Sequence, residues 1–74
     1  MNPIKVISYS GYKGEERPEA FFINGEKITV VEILHMWIEE NIAYRHRKRF
    51  FRIKGSDCHE YKIFYDETRG EWFL

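Results

Sequence analysis

Three histidines (His35, His46 and His59) and one cysteine (Cys58) are the only conventional soft or borderline metal ligands in this sequence. A structural zinc site draws four such ligands from closely spaced pairs, usually Cys-x-x-Cys or two histidines one helical turn apart. No such pair occurs here, so the sequence predicts neither a metal nor a cofactor. Cys58 adjoins His59, but neighbours on an extended chain point to opposite faces, a poor arrangement for a nucleophile and its base. Gly11-Tyr12-Lys13-Gly14 has the glycines of a phosphate cradle. A Walker loop, however, runs through Gly-Lys-Ser/Thr into a helix, whereas Glu15 and Glu16 follow here and repel phosphate. Glu15-Glu16 and Glu39-Glu40 read as solvated acids, with no apolar setting to raise a carboxyl pKa. Ser8, Ser10 and Ser56 stand in no hydrolase pattern. The expectation is a domain that is not an enzyme.

What remains is charge. The formal net charge is zero, yet its distribution is uneven. Residues 1–44 hold four Lys/Arg against seven acids, and residues 55–74 hold two against five. Between them, residues 45–54 hold six cations and no acid: Arg45, Arg47, Lys48, Arg49, Arg52 and Lys54. Such a block is the most informative feature of the chain. On a strand, Arg49, Phe51 and Ile53 share one face and Lys48, Phe50, Arg52 and Lys54 the other. If Tyr61, Ile63 and Tyr65 point inward from a neighbouring strand, Lys62 and Phe64 join the outer surface. Cations beside aromatic rings are the ingredients of a single-strand nucleic-acid platform. The candidate surface is therefore Arg45, Arg47, Lys48, Arg49, Phe50, Arg52, Lys54, Lys62 and Phe64. The plainer reading is a solvated strand edge, since basic residues also guard edges against aggregation.

The elements that must position these residues are short strands. Residues 4–9 alternate as one strand, and a polar loop with two glycines and a closing proline covers 10–18. Residues 20–23 and 26–30 flank Asn24-Gly25, the pair best suited to the positive φ angles of a type I′ hairpin. In 29–40, Val30, Ile33, Leu34, Trp37 and Ile38 fall at helical spacing, and Thr29 with Glu32 forms a capping box, so a short helix is expected. A strand with a bulge is the alternative, given the β-branched content. Strands at about 49–54, 61–65 and 71–74 follow, separated by turns at 55–57 and 66–70. The fold class expected is α+β tending to mainly β. It would be a curled or partly closed antiparallel sheet of five to six strands with at most one helix, or all-β if 30–40 is a bulged strand.

Seventy-four residues allow one core and one domain. Six Phe, five Tyr and two Trp supply the apolar mass that so short a chain needs. A lone cysteine excludes an internal disulfide framework and favours a reducing compartment. With no signal-peptide pattern and no apolar run of membrane-spanning length, the sequence predicts a cytoplasmic protein.

Tyr9-Ser10-Gly11-Tyr12, Arg17-Pro18 with Ala20-Phe21, Gly25, Val30…Ile33-Leu34…Trp37, Phe51, Tyr61, Tyr65 and the closing Trp72…Leu74 together resemble a family of short bacterial proteins and appended domains. The resemblance spans nearly the whole chain, rests on aromatic and turn positions, and carries no activity with it. It implies a compact bacterial cytoplasmic domain. The block at 45–49 is not part of that pattern. The leading functional expectation is a small protein-interaction or accessory module, self-associating or with a protein partner. The alternative is single-stranded nucleic-acid binding through 44–54. The third, a ligand-binding or catalytic domain, would rest on the loop from Tyr9 to Arg17.

Overall fold

The computed structural model describes residues 2–10 and 16–74. Six antiparallel strands follow in order: β1 (Pro3–Ser10), β2 (Glu16–Ile23), β3 (Glu26–Asn41), β4 (His46–Gly55), β5 (Glu60–Asp66) and β6 (Glu71–Phe73). Each pairs with the next, and β6 returns to β1 through Phe73–Pro3 and Trp72–Ile4, closing a barrel. The expected sheet is thus closed rather than partly open. The glycine loop lies outside the described residues, while Ser10 and residues 16–18, expected in that loop, belong to strands.

The turns at Asn24-Gly25 and 66–70 form where the sequence places them. Asn24 and Gly25 adopt φ of 51° and 80°, the left-handed pair a type I′ turn requires. Gly70, at φ 66°, ends the turn opened by Asp66. The buried carboxylate of Asp66 accepts from the amides of Thr68 and Arg69 at 3.0 and 3.2 Å, and its carbonyl accepts from Gly70 at 2.8 Å. Residues 42–45 form a tight hairpin turn rather than a long connection. Asn41 Oδ1 there accepts from the Tyr44 amide, and Arg45 takes the left-handed conformation.

The helix expected at 30–40 is absent, since all of it lies in β3. The reason is two β-bulges. Against β4, Val30 pairs with Gly55 but Glu32 with Lys54, and Ile33 pairs with Ile53 but His35 with Arg52, leaving Val31 and Leu34 as extra residues. Each bulge adds one residue to the ordinary spacing of two, so Val30, Ile33 and Met36 face the same side at intervals of three. Bulged-strand spacing therefore imitates a helical stripe. The bulges also bend the strand. Sixteen residues at roughly 3.3 Å each give a contour of about 50 Å, more than the 38 Å long axis of the molecule.

The core fills the barrel. Phe21, Ile28, Phe51, Ile53, Ile63 and Trp72 form its centre, with Ile4, Val6, Tyr61 and Tyr65 packed against them. Phe51, Ile53, Tyr61, Ile63 and Tyr65 thus point inward, as alternation predicted. No helix of the described residues is long and apolar enough to cross a membrane.

Candidate functional site

Alternation along β4 and β5 sorts the candidate residues onto two surfaces. Lys48, Phe50, Arg52 and Lys54 lie on the outer face, and the pairs Phe50–Phe64 and Arg52–Lys62 bring β5's Lys62 and Phe64 beside them. Arg47 and Arg49 share the inner parity of Phe51, and Arg45 belongs to the hairpin turn. The structure therefore gathers six of the nine residues and sends Arg47 and Arg49 elsewhere.

The outer face carries a row of rings. Trp37, Phe50, Phe64 and Phe73 stack across β3, β4, β5 and β6 with successive centroids 5.2, 4.9 and 5.3 Å apart, and His35 continues the row beside Trp37 at 5.2 Å. Offset contacts of this kind are each worth about 0.5–1.5 kcal/mol beyond area burial. Within the row, His35 is exposed and Trp37 half-buried, while the three phenylalanines are closed to solvent. Phe50 and Phe64 are each 6% exposed, covered by Lys62 over Phe50 and Lys48 over Phe64, both at 5.3 Å, with Arg69 over Phe73 at 5.9 Å. The lysines occupy the faces a base would stack upon. Arg52 is held by Glu60 at 2.9 Å in an exposed pair. This outer face is a cationic row on a closed aromatic floor.

The inner parity leads to a different place. The β2–β3 ladder ends at Ala20–Thr29, while β3 continues to Asn41 paired with β4. Among the described residues, no strand pairs with the other edge of β3 beyond Thr29. Farther along β3 lies a cleft of about 290 Å³, lined by Arg17 of β2, Met36, Trp37 and Ile38 of β3, and Arg47, Arg49, Phe50 and Phe51 of β4. Met36 and Ile38 are 47% and 50% exposed, though they sit on the parity that is buried deeper in the barrel. Arg49 donates from Nε to Glu67 Oε2 at 3.2 Å, and Arg47 Nε makes an ion pair with the same oxygen at 3.2 Å. Three arginines therefore line this cleft; Arg47 and Arg49 share one carboxylate, and Glu40 stands directly across from Arg47 on the same parity.

Sequence reasoning missed Met36, Ile38 and Glu67 as site residues, and named Arg17 only as the end of the Tyr9–Arg17 loop. Met36 and Ile38 were hidden by the bulges, which disguise their inward parity. Glu67 sits in a turn whose reach back to Arg47 depends on the β4–β5 register. Its amide also donates to the Arg47 carbonyl at 3.1 Å.

Elsewhere, Asp57 accepts a hydrogen bond from the Tyr61 hydroxyl and another from the His59 amide at 3.1 Å. The Tyr61 bond holds the Asp57 carboxyl below its ordinary value, and the same bond raises the Tyr61 hydroxyl above its own. This pair fastens the β4–β5 turn. Among the described residues, no three of His, Cys, Asp and Glu gather into a group that could hold a metal. No protein-family model, curated protein or solved structure matches this chain.

Proposed function

We propose that the domain is a non-catalytic interaction module that captures an extended segment of a protein partner along the open edge of β3. The observation that carries this is the mismatch of the ladders: β3 runs twelve residues past Thr29 with β4 on one side and no described strand on the other. A strand edge presents a row of amide donors and carbonyl acceptors, and strand addition is the recognition mode that uses them. Residues 35–41 follow the second bulge and pair regularly with β4, a length that matches an ordinary strand. Exposed Met36 and Ile38 would meet alternate side chains of the incoming segment. The single thiol of Cys58 suits a reducing, cytoplasmic setting.

A second copy of the chain is a poor occupant. Residues 30–41 contain Glu32, Glu39 and Glu40 and no Lys or Arg. Antiparallel pairing of two copies about Met36 sets Glu32 opposite Glu40 twice, and like charges in that position destabilise. Nucleic acid on the outer row would keep its phosphate attraction but lose base stacking on Phe50 and Phe64, because those rings are covered.

Selection of peptides from a random library against the folded domain tests the proposal. Selected peptides should adopt strand-like alternation, and their binding should protect amides of 35–41 from hydrogen exchange. A selection that yields nothing, or protection confined to the Lys48–Lys62 face, would refute it.

A further inference from the structure

Resting on that reading, we infer that the partner segment is two-faced in charge, with an acidic residue between apolar ones on its inward face and basic residues on its outward face. The argument is charge complementarity at a place where the surroundings alternate in sign. A strand added beside β3 would send every second side chain inward, into the cleft of Arg17, Met36, Ile38, Arg47, Arg49 and Phe51. Met36, Ile38 and Phe51 suit apolar side chains. The guanidinium groups outnumber their acceptor: Arg47 and Arg49 both spend Nε on one oxygen of Glu67, at 3.2 Å each. Each guanidinium has five donors, and two sharing a single acceptor atom keep further N–H groups for an incoming carboxylate. Arg17 of β2 lines the same volume. An inward Asp or Glu would thus be received by arginines of both β2 and β4 through charge-assisted hydrogen bonds, the stronger kind. Outward side chains of the added strand would instead lie beside Glu32 and Glu39, whose parity is that of the outer face, while the one inward glutamate of the edge, Glu40, stands opposite Arg47 at the far end of the strand. Glu39 is already drawn toward that face by accepting from Trp37 Nε1 at 3.1 Å.

The cleft is also of a size to hold side chains rather than a whole folded partner. At about 290 Å³ it lies at the bottom of the range for small-ligand pockets. A free carboxylic acid with a short apolar tail carries the same inward chemistry, so the two sources must be separated by experiment. The strand is favoured because the cleft lies beside an unpaired edge, which a small acid would leave unsatisfied.

The test uses the whole chain and an extended peptide alternating outward Lys with inward Val-Glu-Val, followed by Trp37 fluorescence and calorimetry. The expected result is binding weakened about ten-fold or more when the peptide Glu is replaced by Gln, and further by Lys. Arg17→Gln and Arg47→Gln should each reduce the Glu-over-Gln preference. Equal binding of the Glu and Gln peptides would overturn the inward acid while leaving edge capture standing. Failure of every peptide would overturn both. Hexanoate bound as tightly as the Glu peptide would show that the cleft takes a small carboxylic acid and would overturn the partner strand.

Discussion

The Lys62 ammonium rests 5.3 Å from the centre of the Phe50 ring, reaching diagonally across from β5 to β4. Lys48 makes the reciprocal reach to Phe64 at the same distance. Phe50 and Phe64 are direct cross-strand partners, so each lysine lies two residues from one ring and covers the other. Diagonal neighbours of this kind are within reach of long side chains. The arrangement turns what reads in sequence as an open basic-aromatic platform into a surface that is closed on itself.

Lysine removal is expected to uncover the rings. The double variant Lys48→Ala/Lys62→Ala should lose about 1–2 kcal/mol, from two cation–π contacts of about 0.5–1 kcal/mol each. For a domain of this size that is a fall in Tm of roughly 4–8 °C per kcal/mol. Calorimetric melting checks it, and an unchanged Tm would mean that the lysines merely overlie the rings without holding them.

Strand positions, parity and turn chemistry were legible because each depends on near neighbours. Asn24-Gly25 demanded a hairpin, and period-two alternation placed Phe51, Ile53, Ile63 and Tyr65 inward and Lys48, Phe50 and Arg52 outward. What failed was the stretch 30–40. Two bulges stretch the inward spacing to three residues, which matches a helix as well as it matches a bent strand. Only the register with β4 decides between them. The cleft was illegible for the same reason. Arg17, Met36 and Arg47 are far apart in sequence, and the cleft they line depends on how β2, β3 and β4 are brought together. The covering of Phe50 by Lys62 was likewise invisible, because alternation gives a side chain's face but not what lies over it.

Ile38 and Ile63 share inward parity on different strands, yet their substitutions should differ sharply. Ile63 is fully buried, so Ile63→Ala should cost about 2–5 kcal/mol. Ile38 is half exposed at the open edge, so Ile38→Lys should change stability by no more than about 0.5 kcal/mol. The same charge pointing inward from an edge strand blocks strand addition, so Ile38→Lys should abolish peptide capture. Urea melts beside a peptide titration measure both. A stable Ile38→Lys variant that binds peptides as well as the parent would rule out capture at this edge.

Gly55 marks where β3, β4 and the following turn crowd together. A Cβ there would stand 2.7 Å from Asp57 Oδ1 and 2.7 Å from Ile28 Cγ2. Both neighbours are held, Asp57 by its bonds to Tyr61 and His59 and Ile28 by the core. Gly55→Ala should therefore cost about 1–3 kcal/mol through overpacking. Gly25→Ala, with open space around it but φ of 80°, should cost about 1–2 kcal/mol through backbone strain instead. Equilibrium unfolding distinguishes the two by the second variant at each site. Gly25→Asn should recover most of the loss, since Asn tolerates the left-handed region, whereas Gly55→Asn should be worse than Gly55→Ala. Full stability of Gly55→Ala would show that the turn has room to shift.

The Tyr61–Asp57 hydrogen bond sets a pH window for stability. The carboxyl of Asp57 lies below its ordinary 3.8 because it accepts from the Tyr61 hydroxyl. Its contribution is therefore present above pH 3.8 and is lost as pH falls through the lowered folded value. The hydroxyl of Tyr61 lies above its ordinary 10.0 because it donates to Asp57. That contribution is present below pH 10.0 and is lost as pH rises through the raised folded value. Tyr61→Phe deletes the bond while keeping the ring that packs edge-on against Phe21 at 5.1 Å. The difference in Tm between the parent and Tyr61→Phe should accordingly form a plateau between these limits, shrinking in acid and again in strong alkali. Melting curves across that range decide the matter. A difference that grows on acidification would mean that the hydroxyl acts through some other group than the Asp57 carboxylate.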